Sequence, residues 1–252
     1  MRLLAIDTAV SVLSLALGAE TGLWTFEADM GPRHSEILFD SIDILMKTAG
    51  LKPAELEAVA CMKGPGSFTG LRIGFAAAKG LALSLGIPLA AVSTLDCMAR
   101  PFSVWPGITL PLIDAKKNRF FTALYQGGRR ISGYMDAEAP RIAEMAVQAL
   151  SAAPPGEQGL LLTGPDAVLF QRELDKIPAG SGIFPSKPAN LASLDPEFRK
   201  GWARDLLEIA KKIDIFNNDQ RTVFSGPEYI RKSDAELLIE AVPKLQFLEQ
   251  QP

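Results

Sequence analysis

The sequence predicts an α/β protein built in two lobes from a duplicated unit, and three observations carry that prediction. Short apolar runs bounded by turn residues alternate with stretches of helical period along most of the chain. An apolar run ending in an acid, a polar turn and a returning run occurs twice, at 2–17 and at 110–125. A chain of 252 residues is long enough for two modest domains.

The elements follow in order. Leu3-Leu4-Ala5-Ile6 is a strand, Asp7 and Thr8 begin a turn, and 12–17 resumes strand character. Residues 34–49 form a helix with Ile37, Leu38, Ile42, Leu45 and Ala49 near one face, stopped by Gly50. A buried strand at 56–62 leads to the loop Gly64-Pro65-Gly66-Ser67-Phe68-Thr69-Gly70 and a helix running to about Leu85. Gly86 and Pro88 close that helix, and 89–92 is another strand. After a Pro-broken stretch at 101–106 come the second hairpin, a helix at 138–152, a strand at 160–163 and a helix at 196–213. Residues 178–188 read as irregular, 225–231 as a turn into an extended segment, and the tail after Leu245 as polar and frayed.

Placing Asp114 on Asp7 also places Ile113 on Ile6, Ala123 on Ala16 and Leu124 on Leu17. Internal repetition of this kind marks repeated architecture, with chance likeness between two hairpins as the alternative. The expected division is 1–104 for the first lobe, 105–225 for the second, and 226–252 as a segment packing back on the first.

Composition narrows the function. Hydrophobic residues at 48% and charged residues at 22% are ordinary for a globular chain. Against 29 acidic side chains stand 26 basic ones, for a net charge of -3, and the basic pairs Lys116-Lys117 and Arg129-Arg130 make no phosphate-neutralising face. This chain alone should hold nucleic acid weakly. Cys61 and Cys97 sit in apolar surroundings, as buried thiols do in a reducing compartment. Asp7, Ser11 and Ser14 interrupt the apolar start where a secretion signal would stay apolar, and no run is long enough to span a bilayer. A cytoplasmic protein without membrane contact is expected.

The loop at 64–70 is the strongest local feature. Its glycines, ahead of a helix N-terminus, suit either an anion cradle or a tight structural turn, and Leu71-Arg72 after Gly70 rules out a P-loop. Asp7, Thr8, Gly64, Gly66, Ser67, Thr69 and Arg72 form this candidate phosphate-binding or structural loop. In the helix behind it, Gly70, Gly74, Ala78 and Ala82 recur every fourth residue, beside a row of Ala76, Gly80 and Ser84. Small side chains at that spacing let two backbones approach closely, within the subunit or across a subunit boundary. Asp7 and Asp114 either face a phosphate-bound metal or cap their own turns; beside Lys116 and Lys117, the turn role suits Asp114 better. His34 is the only histidine, so a two-histidine metal site is impossible in this chain, and no Gly-x-Ser-x-Gly elbow is present. Arg33-His34-Ser35-Glu36 reads as a helix start with His34 or Ser35 near the cap.

Several strings are similar to the TsaB (YeaZ) family. They are Ala5-Ile6-Asp7-Thr8-Ala9, Arg33-His34-Ser35-Glu36-Ile37-Leu38 and, above all, Gly64 through Gly74. Lys79-Gly80-Leu81-Ala82, Val92-Ser93-Thr94-Leu95, Ile113-Asp114-Ala115-Lys116 and Pro227-Glu228-Tyr229-Ile230-Arg231 continue the likeness. It is dense from residue 3 to about 125, sparse from 130 to 224, and returns briefly.

The resemblance implies an actin-like (ASKHA) two-lobed fold whose second lobe is partly degenerate. It implies a role in forming N6-threonylcarbamoyladenosine at position 37 of tRNAs that read ANN codons. The implied partner is the catalytic sister TsaD, with TsaE as an ATPase and TsaC supplying threonylcarbamoyl-adenylate indirectly. A homodimer is implied when the chain is alone, and contact with tRNA only through the complex. The implied partner surface is Ser35, Leu38, Ile42 and Leu45 on the first helix with Gly70, Gly74, Ala77, Gly80 and Leu81 on the second. TsaD holds its metal through a His-x-x-x-His pair, and the matching positions here are Thr94 and Met98, neither a plausible replacement. A subunit without catalytic residues or a required cofactor follows, with ATP or ADP admitted at the complex interface. The other readings are an ATPase or phosphotransferase using Asp7 and Asp114, and, further off, a metallopeptidase.

Overall fold

The computed structural model describes residues 1–29, 31, 33–154, 158–177, 190–193, 200–213 and 226–227. Two sheets of the same design account for most of it. The first comprises β1 (Leu3–Asp7), β2 (Val12–Ala19), β3 (Gly22–Asp29), β4 (Ala58–Gly64) and β5 (Leu89–Ser93), in the spatial order β3-β2-β1-β4-β5. Helices α1 (His34–Thr48) and α2 (Phe68–Leu85) cross between β3, β4 and β5, and α3 (Thr94–Ala99) follows β5.

The second sheet repeats this plan. Its strands are β6 (Gly107–Pro111), β9 (Tyr125–Gln126), β10 (Arg129–Arg130), β12 (Gly159–Thr163) and β13 (Asn190–Ser193), in the order β10-β9-β6-β12-β13. In both sheets the central strand pairs antiparallel on one side and parallel on the other. Helices α4 (Ala139–Ala152) and α5 (Ala167–Asp175) take the places of α1 and α2, and α6 (Ala203–Ala210) that of α3. The duplication is therefore one of topology, and the fold is actin-like. In the second copy the meander is broken. Its far halves, β7 (Ile113–Asp114), β8 (Arg119–Thr122) and β11 (Met135–Glu138), form a separate three-stranded sheet.

The two hairpins do not superpose residue for residue as the sequence suggested. Asp7 lies opposite Ser14, but Asp114 lies opposite Phe120, one residue sooner. Lys116, Lys117 and Asn118 all take left-handed backbone angles and close the second turn more tightly. Ala123 and Leu124 accordingly fall in the break between β8 and β9.

Period-two alternation splits the first sheet into two differently sized faces. Leu4, Ile6, Leu13, Leu15, Leu17 and Val59 face α1 and α2. Ala5, Ala16, Ala58, Ala60 and Ala90 face the other way. That flat, small-residue face receives α6, whose Ala203, Leu206, Leu207 and Ala210 are fully buried. The sequence assigned 203–210 to the second lobe; this helix packs instead on the first sheet, while α3 reaches β6 of the second. Each lobe thus lends its last helix to the common core.

The helix expected at 196–213 starts only at Ala203, with Trp202 at its cap position and 200–201 outside any helix. Acceptors on the first lobe hold the amides of Gly201, Trp202 and Ala203 at its start. The strand β3, absent from the sequence reading, is an edge strand in which part-buried and exposed residues alternate regularly from Trp24 to Asp29. Residues 178–188, 228–231 and the tail after 245 lie outside the described residues, as does almost all of the segment expected to pack back from 226. Among the described residues no helix is long and apolar enough to cross a membrane.

Candidate functional site

The turn after β1 and the loop before α2 are built as one piece. Thr8 Oγ1 donates to the carbonyl of Gly70 at 2.7 Å, and the Ser67 amide donates to the Ala9 carbonyl at 2.7 Å. The glycines make this approach possible. A Cβ on Gly66 would lie 2.4 Å from the Ala9 carbonyl oxygen, on Gly70 2.1 Å from that of Thr8, and on Gly74 2.2 Å from Thr8 Oγ1. The helix begins earlier than the sequence indicated, at Phe68, because Ser67 caps it by accepting from the Gly70 amide at 3.2 Å.

Asp7 is wholly buried beneath this turn. Its Oδ1 accepts from the Ala9 amide and its Oδ2 from the Trp202 amide, both at 2.9 Å. Burial pushes the carboxyl up to about 6, against the opposing pull of those two amides. Both oxygens are spent on the chain itself, so Asp7 serves as a structural tie. His34 is likewise buried, with Nε2 3.0 Å from the Ser11 carbonyl oxygen. No side chain caps α1; Arg33 takes the cap position, and His34 and Ser35 follow as its first helical residues.

A cleft of about 740 Å³ separates the lobes. Ala9 to Ser11 and Gly66 to Gly70 form one wall; Ile113 to Lys116, Phe121, Pro165 and Asp166 form the other. The acids of the second wall hold their own backbone. Asp114 Oδ1 accepts from the Lys116 amide at 2.7 Å, and its Oδ2 pairs with Lys116 Nζ at 2.6 Å. Asp166 Oδ2 accepts from the Asp114 amide at 2.8 Å, and burial raises its pKa. Thr69 lines the cleft, whereas Arg72 lies outside it with its guanidinium 3.8 Å from the Phe68 ring centroid. Thr94 and Met98 are fully buried, Met98 within the core shared by the lobes. Among the described residues no group of three or more His, Cys, Asp or Glu is placed to hold a metal ion.

The implied partner surface needs correction. Leu38, Ile42, Leu45 and Ala77 are buried against the first sheet, and Leu81 packs at the edge of the same cluster. Gly70 and Gly74 face Thr8 within the subunit. Of the residues assigned to that surface, only Ser35 and Gly80 are exposed. The large apolar side chains that do face outward are Phe39 at 60% and Ile44 at 54% on α1, and Leu83 at 58% and Phe68 at 40% on α2. Their signal was present in the sequence. Once Leu38, Ile42 and Leu45 define the inward stripe of α1, Phe39 and Ile44 are apolar residues left on the wet side.

Gly80 differs in kind from Gly74. It lies mid-helix beside the exposed Ala76 and Ser84, and a Cβ placed on it would meet nothing within 4 Å. Among the described residues nothing requires a glycine there.

Comparison with known proteins places the chain. A relative from Bacillus subtilis, the tRNA threonylcarbamoyladenosine biosynthesis protein TsaB, is 30% identical over 78% of this chain and 88% of its own length. The chain belongs to the TsaB (YeaZ) family, whose named members serve tRNA threonylcarbamoyladenosine biosynthesis. The Escherichia coli TsaB is 39% identical over 50% of this chain and 55% of its own. A family model described as TsaD, tRNA N6-adenosine threonylcarbamoyltransferase, matches residues 29–168. Among solved structures, YeaZ from Pseudomonas aeruginosa superposes with a TM-score of 0.65 at 25% identity, covering 83% of this chain and 90% of that one. A crystal structure of a protein with similarity to peptidase YeaZ from Pseudomonas aeruginosa gives 0.71 at 25% identity, covering 91% and 99%.

Proposed function

We propose that this TsaB-family chain is a non-catalytic, cytoplasmic subunit that pairs with TsaD through the outer surface of α1 and α2. It supports formation of N6-threonylcarbamoyladenosine at position 37 of ANN-reading tRNAs, with TsaE and TsaC acting in the same system. One observation carries the pairing: Gly80. A glycine inside a helix costs about 1 kcal/mol relative to alanine, and no neighbour among the described residues accounts for this one. Close approach by a helix of another chain does account for it, and Phe39, Ile44 and Leu83 supply exposed apolar area on the same two helices. Without that partner a second copy of the chain takes its place.

The absence of independent chemistry rests on the occupied state of the acids. Asp7 is closed off by two backbone amides, and Asp114 is tied to Lys116. That weighs against an ATPase or phosphotransferase built on the pair. In this reading ATP or ADP belongs at the boundary with TsaD, and tRNA is held by the assembly. The test is reconstitution with TsaD, TsaE, TsaC, ATP, threonine, bicarbonate and tRNA. Modified tRNA forms only when this chain is added, and the chain alone forms none; undiminished product in its absence overturns the proposal.

A further inference from the structure

Each lobe is fastened to the other by the helix it lends. At the start of α6, the amides of Gly201, Trp202 and Ala203 donate to Glu27 Oε1 at 3.2 Å, Asp7 Oδ2 at 2.9 Å and Ser14 Oγ at 3.4 Å. Arg100, just after α3, pairs with Asp205 of α6 at 2.8 Å. In the opposite direction, Asp96 of α3 reaches into the second lobe. Its Oδ1 accepts from the Tyr125 hydroxyl at 2.5 Å and its Oδ2 from the Tyr134 hydroxyl at 2.8 Å. The Arg130 guanidinium lies 3.9 Å from Asp96 Oδ1 and stacks 4.0 Å above the Tyr134 ring. Tyr125 is itself buried in the shared core, to which the cleft-lining Ile113 also belongs.

We infer that Asp96, Tyr125, Tyr134 and Arg130 form a latch that holds the lobes at one separation, so that the cleft does not open and close around a ligand. Domain closure needs a hinge where a few residues absorb the movement. Here relative motion must break two part-buried hydroxyl bonds to one carboxyl group, where lost hydrogen bonds are costly, and separate them from the exposed Arg130 stacked beside them. The inference concerns the chain by itself and does not depend on its partner.

The test is a distance distribution between spin labels on Leu83→Cys in α2 and Leu169→Cys in α5, both exposed positions. Labelled protein is diluted with excess unlabelled protein so that only distances within one chain contribute. The native Cys61 and Cys97 are fully buried and stay unlabelled. A single narrow distance is expected, unchanged by saturating MgATP or MgADP. Asp96→Asn, and more gently Tyr134→Phe, should add a second distance differing by more than about 2 Å, the scale of domain rearrangement. Tyr134→Phe removes only a half-exposed hydroxyl, so it reports even if Asp96→Asn fails to fold. A broad or nucleotide-shifted distance in the unmutated protein overturns the inference, as does an unchanged single distance in folded Tyr134→Phe.

Discussion

Asp7, at the end of β1, accepts a hydrogen bond at 2.9 Å from the amide of Trp202, 195 residues further along the chain. That contact joins the first strand of one lobe to the last described helix of the other. It also redefines an acid that the sequence left open between metal chemistry and turn capping. With its second oxygen on the Ala9 amide, Asp7 holds the turn that Gly66, Gly70 and Gly74 press against.

Asp7 predicts a pH dependence. Its folded carboxyl is pushed up to about 6 from the ordinary 3.8, so folding takes up a proton between these values. The contribution is present below the unfolded pKa and is lost as pH rises through 6. Asp7→Asn should remove this component. Melting curves from pH 4 to 7 should show the unmutated protein losing stability relative to Asp7→Asn as pH rises; a constant difference contradicts the assignment.

Gly74 and Gly80 should respond oppositely to alanine. At Gly74 the new Cβ meets Thr8 Oγ1 at 2.2 Å, and overpacking of this kind costs about 1–3 kcal/mol. At Gly80 it meets open space, and the isolated subunit should gain about 1 kcal/mol from helix propensity. Urea unfolding of the two variants in monomeric conditions reads both signs.

Ser67→Ala removes the side-chain acceptor at the start of α2 and should cost about 1 kcal/mol. Ser67→Asp retains an acceptor and adds a charge favoured at a helix N-terminus, so it should recover most of the loss. Equal destabilisation by both substitutions, measured by thermal melting, argues against the cap.

The first lobe was legible because its signals are local. Apolar runs of strand length, the stop at Gly86 and the inward stripe of α1 all follow from residues close in sequence. Trp24-Thr25-Phe26-Glu27-Ala28-Asp29 in β3 alternates apolar and polar and carried a local signal of the same kind, which the sequence reading passed over. The partner surface was misplaced for a physical reason. Apolar residues at helical spacing mark the core before they mark an interface, and Leu38, Ile42 and Leu45 obeyed that rule. Gly74 and Gly80 look alike in sequence, and only the position of Thr8 separates them. The return of α6 to the first sheet depends on three amide contacts spanning more than 170 residues, which no local pattern encodes.

The central claim is that function lies on the outer surface of α1 and α2, and Gly80→Leu tests it most directly. The measurement is the affinity of purified TsaD for this chain and for Gly80→Leu, by titration calorimetry, with folding checked by melting temperature. The account predicts a folded variant with at least about tenfold weaker binding, equivalent to 1.4 kcal/mol. Binding by Gly80→Leu as tight as that of the unmutated chain would contradict it.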